Sequence, residues 1–131
     1  MRVFLDTNVL VSAFGTRGVC ADLFRLVADD HELVISEKVL EEFQRILPQQ
    51  FDATREETRT AMAILQSFEI VKTPAHAPDI MVRDPDDALI LAAAIEAKAD
   101  VLVTGDKDLL DVAGKSPVRI VNPRGFFELV E

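Results

Sequence analysis

The chain has 131 residues, 49% of them hydrophobic, and a formal net charge of −9. That length and apolar content predict one folded domain over residues 1–131 with its own core, and they exclude intrinsic disorder. The excess of acids excludes a simple basic nucleic-acid binder, but leaves open a protein whose carboxylates hold divalent cations that meet a phosphate.

Arg2–Leu5 reads as a short strand running into a polar cluster, Asp6-Thr7-Asn8. Val19–Ala28 has helical spacing at Leu23, Leu26 and Val27, and Leu33–Ile35 is a second strand. Ser36 is placed to cap a helix that Pro48 ends after Leu47. Thr54 and Glu57 have capping-box spacing for a helix running to about Phe68. Ile70–Val71 reads as a strand, and 73–87, with three prolines, as a loop. Asp87–Ala97 is a nearly all-apolar helix, which predicts burial on most sides. Val101–Val103 is a strand, Thr104–Asp108 a turn, and Arg119–Val121 a last strand; Asn122-Pro123 starts a helix over Gly125–Val130.

Apolar strands alternating with helices predict an α/β fold: a central parallel sheet covered by helices on both faces. In such sheets the functional crevice lies beyond the carboxyl ends of the strands. Asp6 and Asp106 both follow strands, so both belong to that edge.

Each acid has two readings. Asp6 or Thr7 can cap the next helix, and Asp6 with Asn8 can equally offer oxygens to a metal. In the helix after Ser36 the apolar stripe is Val39, Leu40, Phe43, Ile46 and Leu47. At about 100° per residue, Glu41 points away from that stripe and Glu42 borders it. A carboxylate at the core's edge needs a partner, although a solvated boundary glutamate is equally consistent. In Arg83-Asp84-Pro85-Asp86-Asp87, three crowded acids repel unless solvent or a cation separates them. Asp87 abuts Ala88-Leu89-Ile90 and is the member expected to face inward, with Asp84 or Asp86 left to cap. Gly105 permits a tight turn before Asp106 and Asp108; either can cap a short helix, Asp108 more readily. Hard oxygen ligands without cysteine or histidine suit Mg2+ or Mn2+, not zinc.

Cys20, the single cysteine, cannot form an internal disulfide, and Asp6 interrupts the start before an apolar leader forms, so the expected location is the cytoplasm. The longest apolar run, Ala88–Ile95, is far too short to span a membrane. His31 and His76 lack ligand-like spacing and read as surface residues.

Four ordered motifs carry a resemblance over essentially the whole chain: Leu5-Asp6-Thr7-Asn8-Val9-Leu10, Glu42-Phe43, Arg83-Asp84-Pro85-Asp86-Asp87 before Leu91-Ala92, and Val103-Thr104-Gly105-Asp106-Lys107-Asp108-Leu109. With these the sequence resembles the PIN domain family, and within it the VapC-like toxins of toxin–antitoxin pairs. The resemblance implies a three-layer fold with a central parallel sheet and a metal-dependent endoribonuclease using Mg2+ or Mn2+. It implies catalytic and metal-binding roles for Asp6, Glu42, Asp87 and Asp106, with Asn8, Thr104 and Asp108 in support. It also implies an RNA substrate, an antitoxin partner and a homodimer, for which Phe14, Val19 and Leu23 are exposed apolar candidates.

Two alternatives remain beside the nuclease. One is a catalytically silent interaction or RNA-binding module on the same fold. The other is a magnesium-binding receiver-like signalling domain, which needs a phosphoacceptor aspartate after a middle strand; here Lys72-Thr73-Pro74 follows Ile70–Val71 instead. A haloacid-dehalogenase-type phosphatase needs Asp-x-Asp after its first strand, and Asp6-Thr7-Asn8 departs from that.

Overall fold

The computed structural model describes residues 1–131. Five strands form one parallel sheet: β1 (Arg2–Leu5), β2 (Glu32–Ser36), β3 (Glu69–Val71), β4 (Val101–Val103) and β5 (Arg119–Val121), in the order β3-β2-β1-β4-β5. Seven α-helices connect and cover them: α1 (Thr7–Gly15), α2 (Val19–Asp30), α3 (Glu37–Phe51), α4 (Arg55–Leu65), α5 (Pro85–Glu96), α6 (Lys107–Leu110) and α7 (Pro123–Val130). β1 is the central strand, pairing Val3 with Leu33 on one side and with Val101 on the other. Its Val3, Phe4 and Leu5 are fully buried, as the unbroken apolar run required.

The amino end of the sheet is tied by Arg2. Its backbone N–H donates to Asp100 Oδ2 at 2.7 Å, and its guanidinium donates to both Glu69 carboxylate oxygens and to Ala97 O. The carboxyl end is left to acids and hydroxyls. α5 is buried over most of its surface, from Ala88 through Ala94 apart from Leu89, as its apolar sequence predicted. It begins earlier than expected, at Pro85, because Asp84 caps it by accepting from Asp86 N at 2.8 Å and proline suits the first helical position.

Three helices depart from the sequence reading. α1 occupies a segment with no helical period, since Val9, Leu10 and Val11 are consecutive and all buried. α3 does not stop at Pro48 but runs on to Phe51, ending at Asp52 with a left-handed φ of 55°. A proline breaks the bond its own N–H would donate, yet Leu47 is buried in the core and Phe51 packs against it, so tertiary contacts hold the last turn. α4 keeps its capping box at Thr54 and Glu57 but ends at Leu65, short of Phe68. Of the apolar residues offered as exposed, only Val19 is: Leu23 is core, and Phe14 is half-buried in edge-on contact with Phe24 and Phe43.

Gly15, the last residue of α1, lies directly against the Phe51 ring, leaving no room for a Cβ. Gly15→Ala is therefore expected to displace Phe51 and cost about 1–3 kcal/mol, read as a lower midpoint in chemical denaturation. An unchanged midpoint would show that the ring moves aside freely.

Candidate active site

The ladder hydrogen bonds of the sheet extend one residue past the strands and fix two site residues. Asp6 N donates to Val103 O at 3.0 Å, and Thr104 N donates to Val121 O at 2.9 Å. Asp6 and Thr104 thus lie side by side at the carboxyl edge, 2% and 0% exposed. The Thr104 hydroxyl donates to Asp6 Oδ2 at 2.7 Å and accepts from Asp106 N at 2.9 Å, so one side chain orients both an acid and the turn that carries the next. Asp6 Oδ1 accepts from Thr7 N at 2.7 Å, which makes Asp6 the cap of α1 as well.

Asp106 caps α6 by accepting from Asp108 N at 2.8 Å. This reverses the expectation that Asp108 was the readier cap. The tight turn at Gly105 brings Asp106 N back to Thr104, and its carboxylate then faces the first turn of α6. Asp108 is free for the cleft. Carboxylate oxygens of Asp87, Asp106 and Asp108 lie within 4.8 Å of one another. Asp87 is 8% exposed in the first turn of α5, and its Oδ2 is buried with no hydrogen-bond partner. Its crowded neighbours face elsewhere: Asp84 caps and Asp86 is exposed.

Glu42 is half-buried, whereas Glu41 is exposed beside Arg45. The Thr7 hydroxyl donates to Glu42 Oε1 at 2.6 Å, and Lys38 Nζ stands 3.7 Å from Glu42 Oε2 and 3.1 Å from Asp86 Oδ1. Asn8 is exposed on α1 and makes no side-chain hydrogen bond to the cluster.

The electrostatics follow from this crowding. Burial pushes the Asp6 carboxyl up to about 6, against the lowering effect of its bonds from Thr104 and Thr7; the charges of Asp106 and Glu42 add to the rise. Burial also pushes Asp87 up, followed by the adjacent Asp106 carboxylate and the charges of Asp6 and Asp84. A buried carboxylate oxygen without a donor, flanked by two more carboxylates, is the environment that a hard divalent cation fits.

The roles of Thr7 and Lys38 were not legible from the sequence. Thr7 reaches Glu42 across 35 positions, and only the spacing of Lys38 four residues before Glu42 hinted at a pair. Thr104→Val is expected to cost about 1–3 kcal/mol, because Asp6 Oδ2 and Asp106 N both lose their partner in a buried place. Thermal melts of the two proteins check this; an equal melting temperature would mean that water replaces the hydroxyl.

No match is found among curated proteins. Solved structures do match. A VapBC2 complex of Rickettsia felis bound to a DNA fragment from its promoter is 23% identical, with 93% of this chain and 98% of that chain covered and a TM-score of 0.68. A toxin–antitoxin complex from Klebsiella pneumoniae is 25% identical, with 92% and 97% covered and a TM-score of 0.65. The sarcin–ricin loop cleaving toxin VapC20 of Mycobacterium tuberculosis is 20% identical, with 84% and 94% covered and a TM-score of 0.62. These likenesses show a shared fold. The profile of the PIN domain matches residues 2–108, a span that takes in the first four sheet strands and every acid of the cleft, and the chain therefore belongs to the PIN domain family.

Proposed function

We propose that this protein is a divalent-metal-dependent endoribonuclease, a hydrolase of RNA phosphodiester bonds, and the toxin of a toxin–antitoxin pair. The observation that carries the reading is Asp87, whose Oδ2 is buried without a partner and whose carboxylate lies within 4.8 Å of those of Asp106 and Asp108. Asp6, Glu42, Asp87 and Asp106 are the catalytic and metal-binding acids in this reading, and Mg2+ or Mn2+ the ion, with Asp108 drawn into the same set. A cation held there by Asp6, Glu42, Asp87 and Asp106 would supply positive charge to a phosphate oxygen and would polarise a water for attack.

The chain's own contribution is placement. Thr104 fixes the Asp6 carboxylate and the Asp106 turn, so the two acids keep their spacing without help from substrate. Thr7 and Lys38 hold Glu42 at the rim, where the carboxylate stays oriented toward the cleft. The Rickettsia felis and Klebsiella pneumoniae neighbours are toxin–antitoxin assemblies, which supports an antitoxin partner, with a homodimer and a cytoplasmic location following from the same reading. None of the helices is long and apolar enough to cross a membrane.

The test is cleavage of structured and unstructured RNA in Mn2+ and in EDTA. Cutting in Mn2+ alone is expected. RNA left intact by the parent under both conditions overturns the nuclease reading in favour of a silent module.

A further inference from the structure

An acidic cleft in a protein of net charge −9 repels the phosphates flanking the bond to be cut, so substrate binding needs a fixed cation nearby. Lys38 puts an ammonium at its rim. Among the ion pairs of the molecule, it alone joins an ammonium to an acid of the cleft, Glu42, and it also reaches Asp86 at the start of α5. Its side chain is only 20% exposed, and its backbone N–H donates to Thr73 Oγ1 at 3.0 Å, so the residue is anchored at both ends.

The two carboxylates that hold it differ. Glu42 is 12% exposed and itself fixed by Thr7, whereas Asp86 is 66% exposed. An exposed carboxylate is a weak partner that solvent already competes for, and a phosphodiester oxygen can take its place on the ammonium.

Resting on the ribonuclease reading, we propose that Lys38 is a substrate-binding residue: its ammonium, held by Glu42, exchanges Asp86 for a backbone phosphate of the RNA beside the bond that is cut. Glu42 then has a second task besides any metal ligation, which is to aim Lys38. A purely structural Lys38 would be a clamp between α3 and α5 and would affect melting but not RNA binding.

The experiment compares the parent with Lys38→Met, Lys38→Arg and Asp86→Asn. It uses a labelled single-stranded oligoribonucleotide for binding and cleavage, and Mn2+ alone for metal affinity. Lys38→Met is expected to weaken RNA binding about tenfold. The slope of log affinity against log salt should become shallower by about 0.7, the share of one phosphate contact on a single strand. Lys38→Arg, which keeps the positive charge beside Glu42, should restore RNA binding with Mn2+ affinity within about twofold of the parent. Asp86→Asn, which serves if the methionine protein fails to fold, should bind RNA more tightly because the ammonium loses its competitor. A parent that cuts RNA beside variants with unchanged RNA affinity and salt slope overturns the Lys38 assignment alone. A parent that takes up Mn2+ but neither binds nor cuts RNA overturns the nuclease reading, and the role of Lys38 with it.

Discussion

Asp87→Asn is expected to melt above the parent in EDTA at pH 8 and to cleave no RNA in Mn2+. In the parent, burial and the neighbouring Asp106 carboxylate both oppose the charge on Asp87, and Oδ2 has no donor to compensate it. An asparagine keeps the shape, removes the charge and brings an N–H that can donate to Asp106. Replacing an unpaired buried acceptor with a paired donor is worth about 1–3 kcal/mol, or roughly 3–10 °C for a chain of this size. On the proposed nuclease reading the same change removes an anionic ligand from the cleft, and loss of such a charge at a reacting centre costs about 10²-fold or more. A variant that melts several degrees below the parent without metal would make Asp87 a structural cap and remove it from the site.

The second large effect is in the pH dependence of stability. Asp6 titrates near 6 in the folded protein against an ordinary aspartate value of 3.8, so the folded state binds its proton more tightly than the unfolded state does. Stability from this group is present at low pH and is lost as the pH rises from about 4 to about 6. The loss is roughly 3 kcal/mol, on the order of 10 °C in melting temperature. Asp87, shifted in the same direction, extends the fall to higher pH. Glu69 works the other way: the Arg2 guanidinium lowers its pKa, so its contribution is present above about 4.5 and fades below. Metal-free protein should therefore be most stable near pH 5 and weaker at pH 8. Mn2+ binds the ionised carboxylates and competes with protons at pH 5, so its stabilisation should be larger at pH 8, about 2.7 kcal/mol at a hundredfold excess over Kd. Melts across pH 5–8 with EDTA or Mn2+ read both trends. Metal-free stability that rises steadily to pH 8, with no gain from Mn2+ there, would refute this account of the cleft.

The strands were legible because Val3–Leu5, Leu33–Ile35 and Val101–Val103 are short apolar runs bounded by polar residues, and a parallel sheet buries such runs on both faces. α5 was legible for the same reason in helical form. α1 was legible only through its cap at Asp6, because three consecutive buried residues in a nine-residue helix leave no period to read. Pro48 misled because packing at Leu47 and Phe51 outweighs a local breaker. At the cleft, helical phase set Glu42 apart from Glu41, and the adjoining apolar run set Asp87 apart from Asp84. The capping exchange between Asp106 and Asp108 was hidden, since it depends on a Thr104 hydroxyl already engaged by an acid 98 positions away.

That 98-residue span governs when the cleft can exist at all. The central strand meets β4 only after the chain has been made past Val103, and closing so long a loop is a late and entropically costly event. A fragment stopping at residue 100 would have Asp6, Glu42 and Asp87 but neither the strand that flanks Leu5 nor the hydroxyl that aims Asp6. The acid constellation thus needs the chain at least as far as Thr104. A polypeptide made only as far as residue 100 carries Asp6, Glu42 and Asp87 without the strand and the hydroxyl that align them.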